Sequence, residues 1–422
     1  MARNLIFFAD GTGNDRAERR KTNVAKLSDR AENMRAGGPT WQDLSGPALD
    51  AELTRPDVRQ VTHYDPGVGA EWGDLIGKAT GSGISRNIRD GYDFLVRFYE
   101  PGDRVFLFGF SRGAYTARSL AGLLGLCGIA RRLQGGGTDL RHDAAERGKA
   151  VAEAYAVYKT GSGRKSGEAG LAAREAAAAR FRRARAHPGH GDPAARAPYF
   201  IGVWDTVRSL GIPLGRKDWE LSLWPHRFHD HDLNPLVRYA FHAVAIDDRR
   251  QQFLPTLWNE PTRAREVGDP AGQVFEQVWF PGAHADVGGG YEDSGLSDVA
   301  LCWMVDKALS AEHPLLFGGD PKAGLDPRPA ARLHDARDRL WKKVVYRDEA
   351  RSVCKGHQEP LSRATRKTGE AHLHRSWRDR IGALFAAYDT PHLGGHPDYL
   401  RALGQLRRGA GPPLAGPWSH LR

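Results

Sequence analysis

Short apolar runs that stop abruptly at a polar or glycine-rich turn recur along this chain. Leu5 to Ala9 leads into Asp10-Gly11-Thr12-Gly13-Asn14-Asp15, Gln60 to Asp65 closes on Pro66-Gly67-Val68-Gly69, and Val105 to Phe108 meets Gly109-Phe110-Ser111-Arg112-Gly113. Farther on, Tyr199 to Trp204 ends in Asp205, Tyr239 to Ile246 in Asp247-Asp248, and Phe275 to Ala283 in His284. Runs of this length bounded by turn signals read as buried strands. Between them the apolar period lengthens. Ile84, Ile88, Tyr92, Leu95 and Tyr99 fall on one helical stripe, Thr22 to Leu27 suits a short helix, and Leu171 to Ala186 is an uninterrupted helical candidate. A further helix is expected from about Ser297, as N-cap, through Leu301, Met304 and Leu309. Strands alternating with helices predict an α/β fold with a mainly parallel sheet flanked by helices.

Three stretches break the alternation. Residues from about Ala36 to Pro56, rich in Gly, Pro and Asp, read as a surface excursion. An Ala- and Arg-rich insertion over about residues 131–198 is expected either to cap the site or to form a surface helix. Beyond residue 316 Gly, Pro and Arg dominate, with helical pieces expected at Ala330 to Val345 and His374 to Tyr388 and a disordered tail from Arg407. The division expected is a core over residues 1–316 and an extension, residues 317–422, packed against it and helping to wall its pocket.

Composition narrows the classes. The 422 residues carry a net charge of +10, which suits contact with an anionic surface but equally an arginine-rich solvated one. No helix-turn-helix, zinc-finger or RNA-binding sheet pattern accompanies it, so no nucleic acid is expected. No apolar stretch approaches the roughly 20 residues of a membrane span, and Leu5 to Ala9 is too short for a signal sequence. Synthesis in the cytoplasm is expected, with any export by a signal-independent route. Cys127, Cys302 and Cys354 share no metal-ligand spacing. His226, His229 and His231, with Asp230 and Asp232, could suggest a metal but read rather as a solvated loop ahead of a helix.

The run around Ser111 changes the picture most. Strand, Gly109-x-Ser111-x-Gly113, then a helix of small residues (Ala114, Ala117, Ala121, Gly122, Gly125) is the context of a nucleophile elbow. The tight turn strains its serine and leaves no room for side chains at the flanking positions. A serine hydroxyl needs an adjacent base, itself oriented by a third group. Ser111, Asp205 and His284 stand at three strand ends, where reactive groups of open α/β sheets gather, and in the order Ser, Asp, His of the α/β-hydrolases. Asp205 is favoured as the acid because it stands alone after an apolar strand. Asp247 and Asp248, at the end of the next strand, and Asp286 remain its rivals. Oxyanion donors are expected from the Arg112 amide and from Gly11 or Thr12, while Asp10 organises the turn between them.

Several blocks together resemble one family. They are Asp10-Gly11-Thr12-Gly13-Asn14, Tyr64 to Gly69, Leu107 to Arg118, Gly202 to Val207, Ala245 to Arg250 with Phe253 and Pro255, and Val278 to Tyr291. This pattern is similar to the bacterial and fungal α/β-hydrolase family that supplies catalytic domains of type VI secretion phospholipase effectors, over about residues 4 to 305. The resemblance implies an α/β-hydrolase-like fold, the family's serine, aspartate and histidine at Ser111, Asp205 and His284, and a lipid or other acyl-ester substrate without cofactor. Two other classes compete. One is a metal-dependent phosphoesterase using Asp10, Asp65, Asp205, His284 and Asp286. The other is a catalytically silent hydrolase fold that binds a lipid or a protein partner. Oligomeric state, head group and acyl position are not legible in the sequence.

Overall fold

A computed structural model describes residues 2–11, 20–31, 34–35, 53–67, 81–131, 140–141, 143–160, 167–207, 233–250, 253–259, 272–336 and 372–373. The expected excursion up to residue 52, the His226 cluster, Thr12, the helix expected at 374–388 and the tail from Arg407 lie outside these residues.

The apolar runs become strands β1 (Asn4–Ala9), β3 (Val58–Asp65), β4 (Arg104–Phe110), β5 (Phe200–Trp204), β6 (Tyr239–Ala245) and β7 (Val274–Phe280), with two-residue edges β2 (Met34–Arg35) and β8 (His372–Leu373). They form one sheet in the order β2-β3-β1-β4-β5-β6-β7-β8, parallel throughout except at β2–β3. The fold is α/β, a mainly parallel sheet flanked by helices. Alternate residues of β1 show why its run is apolar without interruption. Leu5 and Phe7 join one core with Tyr92, Leu95, Leu120 and Leu124, whereas Ile6 and Phe8 join a second with Val24, Leu27, Leu301 and Met304.

The helices divide accordingly. The face toward the first core carries α2 (Gly81–Phe98), α3 (Arg112–Cys127), α4 (Ala144–Lys159) and α5 (Gly167–Arg185). The face toward the second carries α1 (Asn23–Arg30), with Thr22 capping its first turn, and α7 (Gly295–Leu309). The five stripe residues, Ile84, Ile88, Tyr92 and Leu95 in α2 and Tyr99 just after it, are all buried. Within the insertion α4 and α5 pack along α2 and α3. Arg147 Nε donates to Asp93 (2.7 Å) and Tyr155 meets Ser85 (2.7 Å) farther up α2, so α4 runs antiparallel to it.

Two expectations are corrected. Helix α7 begins at Gly295 with Ser294 in the N-cap position, so Ser297 lies inside the first turn, its hydroxyl donating to the Ser294 carbonyl (3.0 Å). Residues 330–336 are irregular where a helix was expected, because the His334 amide is committed to a side chain far back in the chain, Asp286, at 3.1 Å.

The topology sets the place for chemistry. From β1 the chain crosses to β3 on one side and then, through α2, to β4 on the other. The loops after β1 and β4 therefore part at a switch point on the carboxyl edge, where parallel sheets open a crevice.

Candidate active site

Ser111 follows β4 directly, with φ 58° and ψ −120°, and α3 starts at the next residue. The two flanking glycines are steric necessities. A Cβ on Gly113 would stand 2.0 Å from the Ala9 carbonyl oxygen, and one on Gly109 would stand 2.4 Å from the Gly113 carbonyl oxygen. The Ser111 amide donates to the Trp204 carbonyl (3.1 Å), tying the turn to the end of β5. The Arg112 amide opens α3 and belongs to the first-turn donors that have no acceptor within the helix.

Asp205 directly follows β5, also at positive φ (36°), with its side chain fully buried. Its Oδ1 accepts the Ala245 amide at 3.0 Å and its Oδ2 stands 2.6 Å from His284 Nδ1. The other ring nitrogen, His284 Nε2, stands 2.8 Å from Ser111 Oγ. The carboxylate fixes the proton on Nδ1, leaving the Nε2 lone pair toward the hydroxyl. Burial lowers the imidazole pKa below its ordinary value, and the Asp205 carboxylate opposes that shift. Phe110 and Phe253 flank the ring at centroid distances of 4.6 and 5.2 Å.

The rival carboxylates have other occupations. Asp247 Oδ2 accepts the Gly282 amide (2.7 Å), and Asp248 Oδ2 accepts the His284 amide (3.1 Å). Both grip the backbone that presents the histidine. Asp248 also holds Arg250 through two nitrogens (3.0 and 2.7 Å), and that guanidinium lies 3.4 Å over the Phe253 ring. This bracket was not foreseen as part of the site, although Arg250 and Phe253 stand in the sequence blocks that carry the family pattern. Asp286 sits in the first turn of the short helix α6 (His284–Gly288), where its Oδ2 accepts the Ala283 amide at 3.0 Å.

On the other side of the elbow Asp10 organises its loop. Its Oδ1 accepts the Gly11 amide (2.6 Å), and its Oδ2 accepts the Tyr64 hydroxyl (2.7 Å) and the Thr22 hydroxyl (2.5 Å). The Gly11 amide is thus turned toward Asp10 in this geometry. Among the described residues no group of three or more His, Cys, Asp or Glu side chains is arranged to hold a metal ion. Asp10, Asp205, His284 and Asp286, four of the residues named for a metal centre, are engaged in the hydrogen bonds just given.

A 143-residue stretch is 29% identical to an uncharacterised protein of Saccharomyces cerevisiae, covering 30% of this chain and 18% of the yeast protein. A crystal structure of an uncharacterised protein from Pseudomonas aeruginosa superposes with a TM-score of 0.42 at 15% identity, covering 98% of this chain and 68% of that one. The family model described as "T6SS, Phospholipase effector Tle1-like, catalytic domain" matches residues 3–307, which include the elbow, Asp205 and His284. The chain belongs to the Tle1-like family of T6SS phospholipase effector catalytic domains.

Proposed function

We propose that this chain is a serine-dependent carboxylic ester hydrolase that cleaves acyl esters of a phospholipid or a related lipid. Ser111 Oγ attacks the acyl carbonyl while His284 Nε2 takes its proton, and Asp205 steadies the imidazolium that forms. The Arg112 amide receives the developing oxyanion. A second donor comes from the loop after β1, where the Gly11 amide must leave Asp10 or Thr12 must serve. The protonated His284 then hands its proton to the departing alkoxide, leaving an acyl-serine. A water deprotonated by the same nitrogen attacks that ester, and the fatty acid leaves as Ser111 regains its proton.

The observation that carries this reading is the unbroken relay at a strained elbow: 2.8 Å from hydroxyl to imidazole and 2.6 Å from imidazole to buried carboxylate. The family's description supports a lipid substrate and delivery through a type VI secretion system. No helix among the described residues is long and apolar enough to cross a membrane. Contact with the lipid is peripheral in this proposal, aided at anionic membranes by the net charge of +10.

Replacing Ser111 with Ala tests it. Turnover of short p-nitrophenyl esters and of phospholipid vesicles should fall by at least about 10³-fold, since loss of such a nucleophile removes most of the catalysis. Wild-type rates in the variant would overturn the assignment, and inhibition by a chelator with indifference to a fluorophosphonate would point to the metal phosphoesterase.

A further inference from the structure

The family match ends at residue 307, yet the chain that follows is woven back over the sheet. The Glu312 and His313 amides donate to the hydroxyls of Tyr239 (3.1 Å) and Tyr199 (2.9 Å), and Leu316 exchanges two bonds of 2.9 Å with the Gln60 side chain. Leu315 is buried in the second core. Farther along, the Asp326 amide reaches Asp298 (3.0 Å) and the Arg328 amide reaches the Gly295 carbonyl (2.9 Å) at the start of α7. The strap then arrives at α6, the single turn whose first residue is His284.

There His334 takes both oxygens of Asp286. Its Nδ1 stands 2.6 Å from Oδ1, and its amide donates to Oδ2 at 3.1 Å. Tyr291 stacks on the His334 ring at 4.0 Å and holds it in place. Asp286 is itself almost wholly buried, and its Oδ2 caps the Ala283 amide immediately before His284. A carboxylate bound on both oxygens cannot swing away from that amide. The turn carrying the base is thus fixed from below by Asp248 and from its start by the Asp286–His334 pair.

We propose that His334, outside the family-matched region, is a positioning residue for the catalytic base, acting through Asp286. This rests on the hydrolase reading above. Its role is to keep His284 Nε2 within reach of Ser111 Oγ, and small misplacements of a reacting group are costly even when its chemistry is intact.

Kinetics on the full chain, with thermal midpoints for each variant, test the proposal. H334A should lower kcat for a p-nitrophenyl ester by about tenfold while KM changes by less than about twofold. H334N, whose side-chain amide can donate where Nδ1–H does, should recover most of the rate. H334Q, whose amide sits one carbon farther out, should not. A packing role alone would show as a lowered midpoint with kcat per folded molecule unchanged. That result, or equal losses in H334A and H334N, would overturn the inference. S111A run alongside separates the two levels: retained turnover there would sink the hydrolase reading, whereas its loss with an unaffected H334A sinks only this one.

Discussion

The two edges of the sheet each bury a histidine, and the pair is instructive because burial acts on both alike. At the amino edge His190, in the single turn Pro188–Gly191, accepts the Ile129 amide on Nδ1 (2.9 Å) and meets the Tyr99 hydroxyl through Nε2 (3.2 Å). Burial pushes its pKa down to about 4. At the carboxyl edge His284 is also lowered by burial, but a carboxylate on Nδ1 opposes the shift. The partners fix opposite tautomers. His190 must carry its proton on Nε2, with Nδ1 spent on a backbone amide, so it ties the end of α3 to the chain entering β5. His284 carries its proton on Nδ1 and leaves Nε2 free to accept from Ser111. One residue type thus presents opposite ring nitrogens to its surroundings according to whether the strand end beside it offers a carboxylate.

Making the two alike is the hardest test of that contrast. Asp205→Asn would present an amide where His284 needs an acceptor, inviting the tautomer that His190 adopts. Turnover should drop by roughly 10³–10⁴-fold, the scale seen when a triad carboxylate loses its charge. A D205N enzyme within tenfold of wild type would mean that the acid is not what distinguishes the carboxyl edge.

The amino edge should fail in a different currency. His190→Phe removes the acceptor for the Ile129 amide, and a buried donor left unmet costs about 1–3 kcal/mol, read by urea unfolding, with kcat per folded molecule unchanged. Its pH dependence is fixed in sign. The folded pKa, about 4, lies below the unfolded value of about 6.5. The unfolded chain therefore binds the extra proton between those values, and His190's contribution is present above the window and lost as pH falls through it. H190F should flatten that part of the stability profile, and an unchanged profile would refute the assignment.

The smallest effect concerns the limb of the rate profile. Since His284 must be neutral to accept a proton and burial lowers its pKa, kcat/KM should rise with pH through a midpoint below about 6.5 and be level by neutrality. A midpoint above that value would show that Asp205 outweighs burial.

Much of this was legible along the chain. Unbroken apolar runs named β1, β4 and β5, because strands covered on both faces need no polar alternation, while β3, β6 and β7 carry polar residues among the apolar ones and were marked by the turn signals that close them. Gly109 and Gly113 announced the elbow, because only glycine tolerates the approaches at 2.4 and 2.0 Å that the turn demands. Ser111, Asp205 and His284 could each be placed at a strand end from local pattern alone.

Which of those ends are neighbours is a matter of strand order, and strand order is settled by long-range pairing. In the sheet β5 lies beside β4, so Asp205 stands next to the elbow, while the loop after β6 passes beneath the backbone of His284 and gives Asp247 and Asp248 their task there. His334 is a further case. Its partner Asp286 lies 48 residues away, and no periodicity joins them. Local sequence fixes φ, turn and burial tendency within a few residues, so it determined the elements and their reactive tips. Only the folded sheet, by bringing distant ends within hydrogen-bond reach, decided which carboxylate meets the His284 ring and which hold the backbone around it.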